Sequence, residues 1–132
     1  MDCLFCKIIN KEIPSKVVYE DDNVLGFLDI SPVSTGHTLI IPKTHSSALS
    51  DGNDNDISKM LRAAKKVSNK IYDKFKADGI NFLINEKAPA GQVVFHLHLH
   101  IIPKYLDKGG FILGKKVEEN QDLEAIHKTL IS

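Results

Sequence analysis

From Ile57 onward the apolar residues Ile57, Met60, Leu61, Ala64, Val67, Ile71 and Phe75 recur at spacings of three and four. That period belongs to an amphipathic α-helix of about five or six turns. Asp54 and Asp56 can cap its start, and Gly79 can end it with Lys74 and Lys76 in the last turn. Ahead of the helix the period shortens. Lys16 to Glu20, Val24 to Leu28 and His37 to Ile41 predict three strands. The first two make a hairpin across Asp21-Asp22-Asn23, and a loop from Ile30 to Gly36 precedes the third. Phe5 to Ile13 predicts a short helical segment anchored by Ile8 and Ile9 and stopped by Pro14. Ile80 to Asn85 predicts a fourth strand. Val93 to Ile102 predicts a long fifth one, ending at Pro103, which cannot donate to a ladder. Leu123, Ile126 and Leu130 predict a short closing helix. The order β-β-β-α-β-β implies an α+β domain: a mostly antiparallel five-stranded sheet, one long helix, and a short helix near each end.

Composition narrows the function. A chain of 132 residues, 42% of them apolar, suits a single domain with its own core. Lys plus Arg equals Asp plus Glu at 17 each, so the net charge is zero. That argues against a nucleic-acid partner but leaves room for a small anionic ligand. No apolar run is long enough to span a bilayer, so no membrane partner is expected. Met1-Asp2-Cys3 opens without the basic and apolar regions of a signal peptide. Two cysteines make no disulfide scaffold. A cytoplasmic protein is expected.

The chemistry concentrates in one run. His96, His98 and His100 alternate with Leu97, Leu99 and Ile101. On a strand all three imidazoles share one face, about 7 Å apart, with an aliphatic face behind them. Packing gives little reason for such a row, whereas imidazole serves as acid, base, nucleophile or metal ligand near neutral pH.

The run His96-Leu-His98-Leu-His100-Ile-Ile resembles the signature of the histidine-triad (HIT) superfamily of nucleotide hydrolases and transferases. Asp29-Ile-Ser-Pro, Gly36-His37, Ile41-Pro-Lys-Thr-His45, Asn85-Glu and Gly91-Gln92 resemble further landmarks in the expected order. The resemblance spans about residues 3 to 105 within one domain of 1–132, leaves 106–132 as a variable tail, and is nearest the Hint-like and bacterial stand-alone branch. It implies a HIT-like fold and a homodimer.

The resemblance also implies roles. His98 is the expected nucleophile toward an α-phosphate, leaving a nucleotidyl-histidine that water cleaves. His100 contacts phosphate or assists the leaving group. His37 supports the triad from behind, a role that overlaps with that of a hydrogen-bonded core histidine. Asn85, Gly91, Gln92 and the Val93 N–H match a phosphate loop. Val93 stands where the family often has Ser or Thr, so only backbone donation remains there. Asp29 matches the acceptor of ribose hydroxyls, and a loop-capping Asp reads equally from the residues alone. Phe5, Ile8, Phe27, Ile30 and Leu39 match an apolar base pocket, and each also suits a plain core. The expected ligand is a purine nucleotide.

Cys3-Leu-Phe-Cys6 is a C-x₂-C knuckle. In family members that carry it, the partners match His45 and His96, completing a structural Zn²⁺ site. Two free thiols or a redox pair are the alternatives. The resemblance thus implies a nucleotidyl hydrolase acting on phosphoramidates or adenylated amines. A dinucleoside polyphosphate hydrolase and a non-catalytic nucleotide-binding module are the rivals.

Overall fold

β1 (Val17–Glu20) and β2 (Val24–Leu28) form the expected hairpin. Asp21 closes its turn: Oδ1 accepts from the N–H groups of Asn23 and Val24, each at 2.8 Å, and Oδ2 accepts from the Tyr19 hydroxyl. β3 (Thr38–Pro42) pairs with β2, and the chain then crosses through α2 (Asp54–Phe75) to β4 (Gly79–Leu83). β5 (Leu99–Lys104) returns between β3 and β4, so the order is β1-β2-β3-β5-β4. Every neighbouring pair is antiparallel. Helices α1 (Leu4–Ile9) and α3 (Leu123–Ile131) stand at the two ends of the chain. This structure, a computed structural model, describes residues 2–132.

Both faces of the sheet are buried around β2 and β3, which explains why those strands read as continuous apolar runs rather than as clean alternation. Val24, Ile40, Leu99 and Ile101 pack against Met60, Ala63, Ala64, Val67 and Ile71 of α2. Leu25, Phe27, Leu39 and Ile41 face the other way and pack against Cys3 and Phe5. The short N-terminal helix therefore covers the face opposite α2, and that covered face carries the site.

The element boundaries depart from the sequence reading in ways that have physical causes. α1 ends at Ile9 because Lys11 takes a left-handed φ of 62°, before Pro14 comes into play. Asn53, ahead of Asp54 and Asp56, caps α2, its Oδ1 accepting from the N–H groups of Asn55 and Asp56. Lys76 in a left-handed conformation ends α2, and Gly79 opens β4 instead. Leu61 is 57% exposed: it sits about 100° round the helix from Met60, off the buried stripe. β5 begins at Leu99, so only His100 of the three alternating histidines lies in the ladder. It also runs through Pro103, which pairs with Ile80. The Pro103 carbonyl faces the opposite edge, where the Ser34 hydroxyl donates to it, so its missing N–H interrupts nothing. α3 forms as expected but does not close the domain: none of its residues is buried, and Leu123 and Leu130 are 75% and 79% exposed.

Candidate active site

Main-chain groups place the protons of His98, His96 and His37, and His37 in turn places that of His100. His98 Nδ1 lies 2.7 Å from the His96 carbonyl oxygen, which can only accept, so Nδ1 carries the proton and Nε2 carries the lone pair. No buried side-chain nitrogen or oxygen among the described residues lacks a partner. His98 Nε2 has none and so opens to solvent in the cleft that His98 lines. His96 Nε2 donates to the Pro42 carbonyl at 2.8 Å, leaving its Nδ1 as an acceptor. His37 Nδ1 accepts from the Val33 N–H at 3.1 Å, so its Nε2–H points at His100 Nδ1, 3.0 Å away. His100 accepts there and presents Nε2–H as a donor. The His98 and His100 rings stack edge to face at 4.9 Å. Burial holds His37, His96 and His98 below the usual imidazole range. His100, buried and facing His98 and His37, is pushed down to about 4. All four are neutral at physiological pH.

His98 and His100 line an open cleft of about 480 Å³. Its apolar wall is Phe5, Ile8, Phe27 and Leu39, with Leu4, Ile13 and Pro14 beside them. Phe5 meets His98 edge-on at 5.1 Å, so the wall of the cleft also steadies the His98 ring. Ile30 and Val93 belong to the rim, being 95% and 83% exposed. Asp29 stands on the cleft wall, its Oδ1 accepting from the Ser31 N–H at 2.8 Å and its Oδ2 3.5 Å from His37 Nε2.

Asn85, Gly91 and Val93 line the same cleft as His98 and His100. Gly91 has a φ of 100°, a conformation that glycine adopts without strain, and a Cβ there would sit 3.5 Å from Asn85 Nδ2. The N–H groups of Val93 and Val94 have no acceptor among the described residues and remain free for an anion. Gln92 behaves differently from its neighbours. Its side chain is buried and spans three main-chain groups: it accepts from Lys87 N–H at 2.7 Å and donates to the Ser47 and Val94 carbonyls at 2.6 and 3.1 Å. It shapes the loop and does not line the cleft.

Cys3, Cys6, His45 and His96 converge at the start of α1, their ligand atoms all within 4.8 Å of one another. Cys3 Sγ and Cys6 Sγ lie 3.4 and 3.6 Å from His96 Nδ1, and Cys6 Sγ lies 3.5 Å from His45 Nδ1. Burial, together with the Cys3 thiol, pushes Cys6 up to about 11. A divalent cation would reverse that by taking the thiolates. The His96 tautomer leaves Nδ1 aimed at the same point, so two sulfurs and two nitrogens suit a tetrahedral zinc ion with no open position. Asp29, His37 and His100 also cluster. There the Val33 N–H occupies His37 Nδ1 and keeps the proton on Nε2, which has no lone pair to give an ion.

Comparison with known proteins decides the relationship. The HIT domain family model matches residues 10–107, most of the chain. The chain belongs to the HIT family. An uncharacterized HIT-like protein of Borreliella burgdorferi is 50% identical over 119 residues, covering 88% of this chain and 86% of that protein. An adenosine 5'-monophosphoramidase of Saccharomyces cerevisiae is 39% identical over 132 residues, covering 98% and 81%. Among solved structures, a HIT family member from Bacillus subtilis superposes with a TM-score of 0.92 at 43% identity over 99% of this chain and 96% of that one. A Zn-bound histidine triad family protein from Mycobacterium smegmatis superposes at 0.79 with 34% identity, over 99% and 96%.

In this HIT domain the sequence-derived site residues gather as follows. His98, His100, Asp29, Asn85, Gly91, Val93 and the apolar positions share one cleft, with His37 directly behind and Gln92 beneath the loop. Sequence reasoning missed Leu4, Ile13, Pro14, Ser15, Leu28, Ser31 and Val94 as lining residues. Pro14 reads as a helix stop, and only the turn of the chain after Lys11 brings it round to the cleft.

Proposed function

We propose that this protein hydrolyses purine nucleotide conjugates at the α-phosphate through a nucleotidyl-histidine on His98, with nucleoside phosphoramidates and adenylated amines as substrates. The observation that carries this is the 2.7 Å bond from His98 Nδ1 to the His96 carbonyl, which bares the Nε2 lone pair toward the cleft. That nitrogen attacks phosphorus, the bond to the leaving amine breaks, and the amine departs with a proton taken from water in the open cleft, a proton returned to solvent when the intermediate is hydrolysed. Water then cleaves the phosphorus–histidine bond and releases the nucleoside monophosphate. The His100 Nε2–H and the free N–H groups of Val93 and Val94, with Asn85, meet the charge on the phosphoryl oxygens. Asp29 offers two acceptor oxygens to the sugar diol, and the wall of Phe5, Ile8, Phe27 and Leu39 receives the base. Among the described residues, none that lines the cleft is Lys or Arg. That favours a substrate with one phosphoryl group over a dinucleoside polyphosphate, whose further charges would require cations. The monophosphoramidase activity named for the yeast relative supports the same class.

The reading includes a structural zinc ion held by Cys3, Cys6, His45 and His96, supported by the donor set and by the Zn-bound relative. When bound it fastens α1 to the segment that carries the nucleophile. It also includes a cytoplasmic homodimer. The apolar surface left at Val17, Val18 and Phe75 and along α3 supports pairing, and sedimentation would measure it.

The test is mass spectrometry of the intact protein after incubation with an adenosine phosphoramidate. Wild type is expected to gain an AMP-sized adduct and to turn over, and His98→Ala to do neither. Nucleotide binding without adduct or turnover in wild type would overturn the enzyme in favour of a binding module.

A further inference from the structure

The two ends of the loop 29–37 are tied together. The Asp29 N–H donates to the His37 carbonyl at 3.0 Å, the His37 N–H to the Ser34 carbonyl at 3.1 Å, and the Val33 N–H to His37 Nδ1. Asp29 faces the cleft at one end, and His37 holds His100 at the other. Between them lies a single proton, hydrogen-bonded to one acceptor with a carboxylate close by as a rival. The His37 Nε2–H stands 3.0 Å from His100 Nδ1 and 3.5 Å from Asp29 Oδ2. It cannot retreat to His37 Nδ1, which the Val33 N–H occupies.

We infer that Asp29 is a positioning residue for His100 as well as a sugar ligand, and that the sugar hydroxyls of the substrate decide which acceptor takes the His37 proton. This rests on the proposed nucleotide hydrolysis. A carboxylate is a stronger acceptor than a neutral imidazole, so an unoccupied Asp29 competes for the His37 Nε2–H. A sugar hydroxyl donating to Oδ2 fills that acceptor, and the His37 proton then serves His100 alone. His100 is thereby held as the tautomer whose Nε2–H points into the cleft. Without the hydroxyl the tautomer and the ring of His100 lose their fixed partner. No proton passes through His37 in this scheme. It acts as a donor of fixed direction, and the titratable groups facing it are Asp29 and His100.

The consequence separates from ordinary binding. A carboxylate that only holds the sugar changes KM when a hydroxyl is removed. One that also frees the His37 proton changes kcat. Wild type is expected to lose about tenfold in kcat on the 2'-deoxy or 3'-deoxy analogue of an adenosine phosphoramidate, the worth of one transition-state hydrogen bond. In Asp29→Asn the competing charge is gone, while the Oδ1 acceptor for Ser31 remains. KM for the ribonucleotide should rise, and the ribo-to-deoxy ratio of kcat should fall to about one. A side-chain ¹⁵N spectrum supplies a readout free of turnover. With AMP bound, His100 should show one tautomer, and with 2'-deoxy-AMP a mixture. Equal kcat on both substrates in wild type, or the same His100 spectrum with both nucleotides, would overturn the inference and leave the hydrolase standing. Failure of AMP to bind and of both substrates to turn over would remove the hydrolase itself and this inference with it.

Discussion

Gln92 shows how one side chain can hold a loop of the cleft without lining the cleft itself. Its amide satisfies the Lys87 N–H and the carbonyls of Ser47 and Val94. Gln92→Ala strands all three, and a loss of about 2 kcal/mol is expected in denaturant melts, with a fall in phosphoramidate turnover as the loop loosens. A melt within error of wild type would show that water replaces the amide at no cost. His98 and His100 were legible as cleft residues from their spacing, because packing alone gives little reason for a row of imidazoles. The work of Gln92 was not, because a glutamine that braces the main chain is spelled like one that binds phosphate. His96 has the same ambiguity from the other side. It stands in the same alternating run as His98, yet its hydrogen bond to Pro42 turns it toward the cysteines instead.

At the scale of elements, the long helix was the most legible part of the fold, since a stripe at 3.6-residue period needs no knowledge of its partner. The fifth strand was the least. Residues 95–98 alternate as a strand does, but alternation reports only which way side chains point, not whether a ladder partner exists. Leu97 N–H bonds instead to the Ser46 carbonyl, and this irregular segment presents His96 and His98 to different sites. α1 is the element with the least means of its own. It has six residues and a sulfur as its N-cap acceptor, too little to persist alone. Zinc would fasten it. Adding EDTA should lower the melting midpoint by the equivalent of about 4 kcal/mol when zinc had stood at a thousand times its dissociation constant. Cys6→Ser should shrink that response and reduce the zinc found by atomic emission. A melt that ignores the chelator, in protein that carries no zinc, would leave the knuckle as two thiols.

The whole molecule answers to pH through the same histidines. His37, His98 and His100 bind protons more weakly folded than unfolded, burial being the main cause. Below the ordinary imidazole value of 6.5 the unfolded chain therefore takes up more protons, and stability falls as pH drops from there to about 4, where folded His100 itself titrates. Each histidine contributes a slope of up to about 1.4 kcal/mol per pH unit. Denaturant midpoints at pH 7 and pH 5 check this, and a midpoint unchanged or higher at pH 5 would contradict it. The tail is where the reading of the whole molecule stopped. Its apolar periodicity announces α3, but periodicity gives no address, and in the folded chain no side chain of that helix is buried.

Three proton positions in the cleft and behind it are dictated by the Pro42 carbonyl, the His96 carbonyl and the Val33 N–H. Substitution exchanges side chains and leaves main-chain groups in place. A lineage can therefore redraw the apolar wall, the rim or the tail while each imidazole keeps its tautomer, provided the chain follows the same path through those three residues. What is inherited is the course of the backbone more than the spelling around it. For the same reason, the rim residues Ile30 and Val93 are open to substitution without retuning the tautomer of His98.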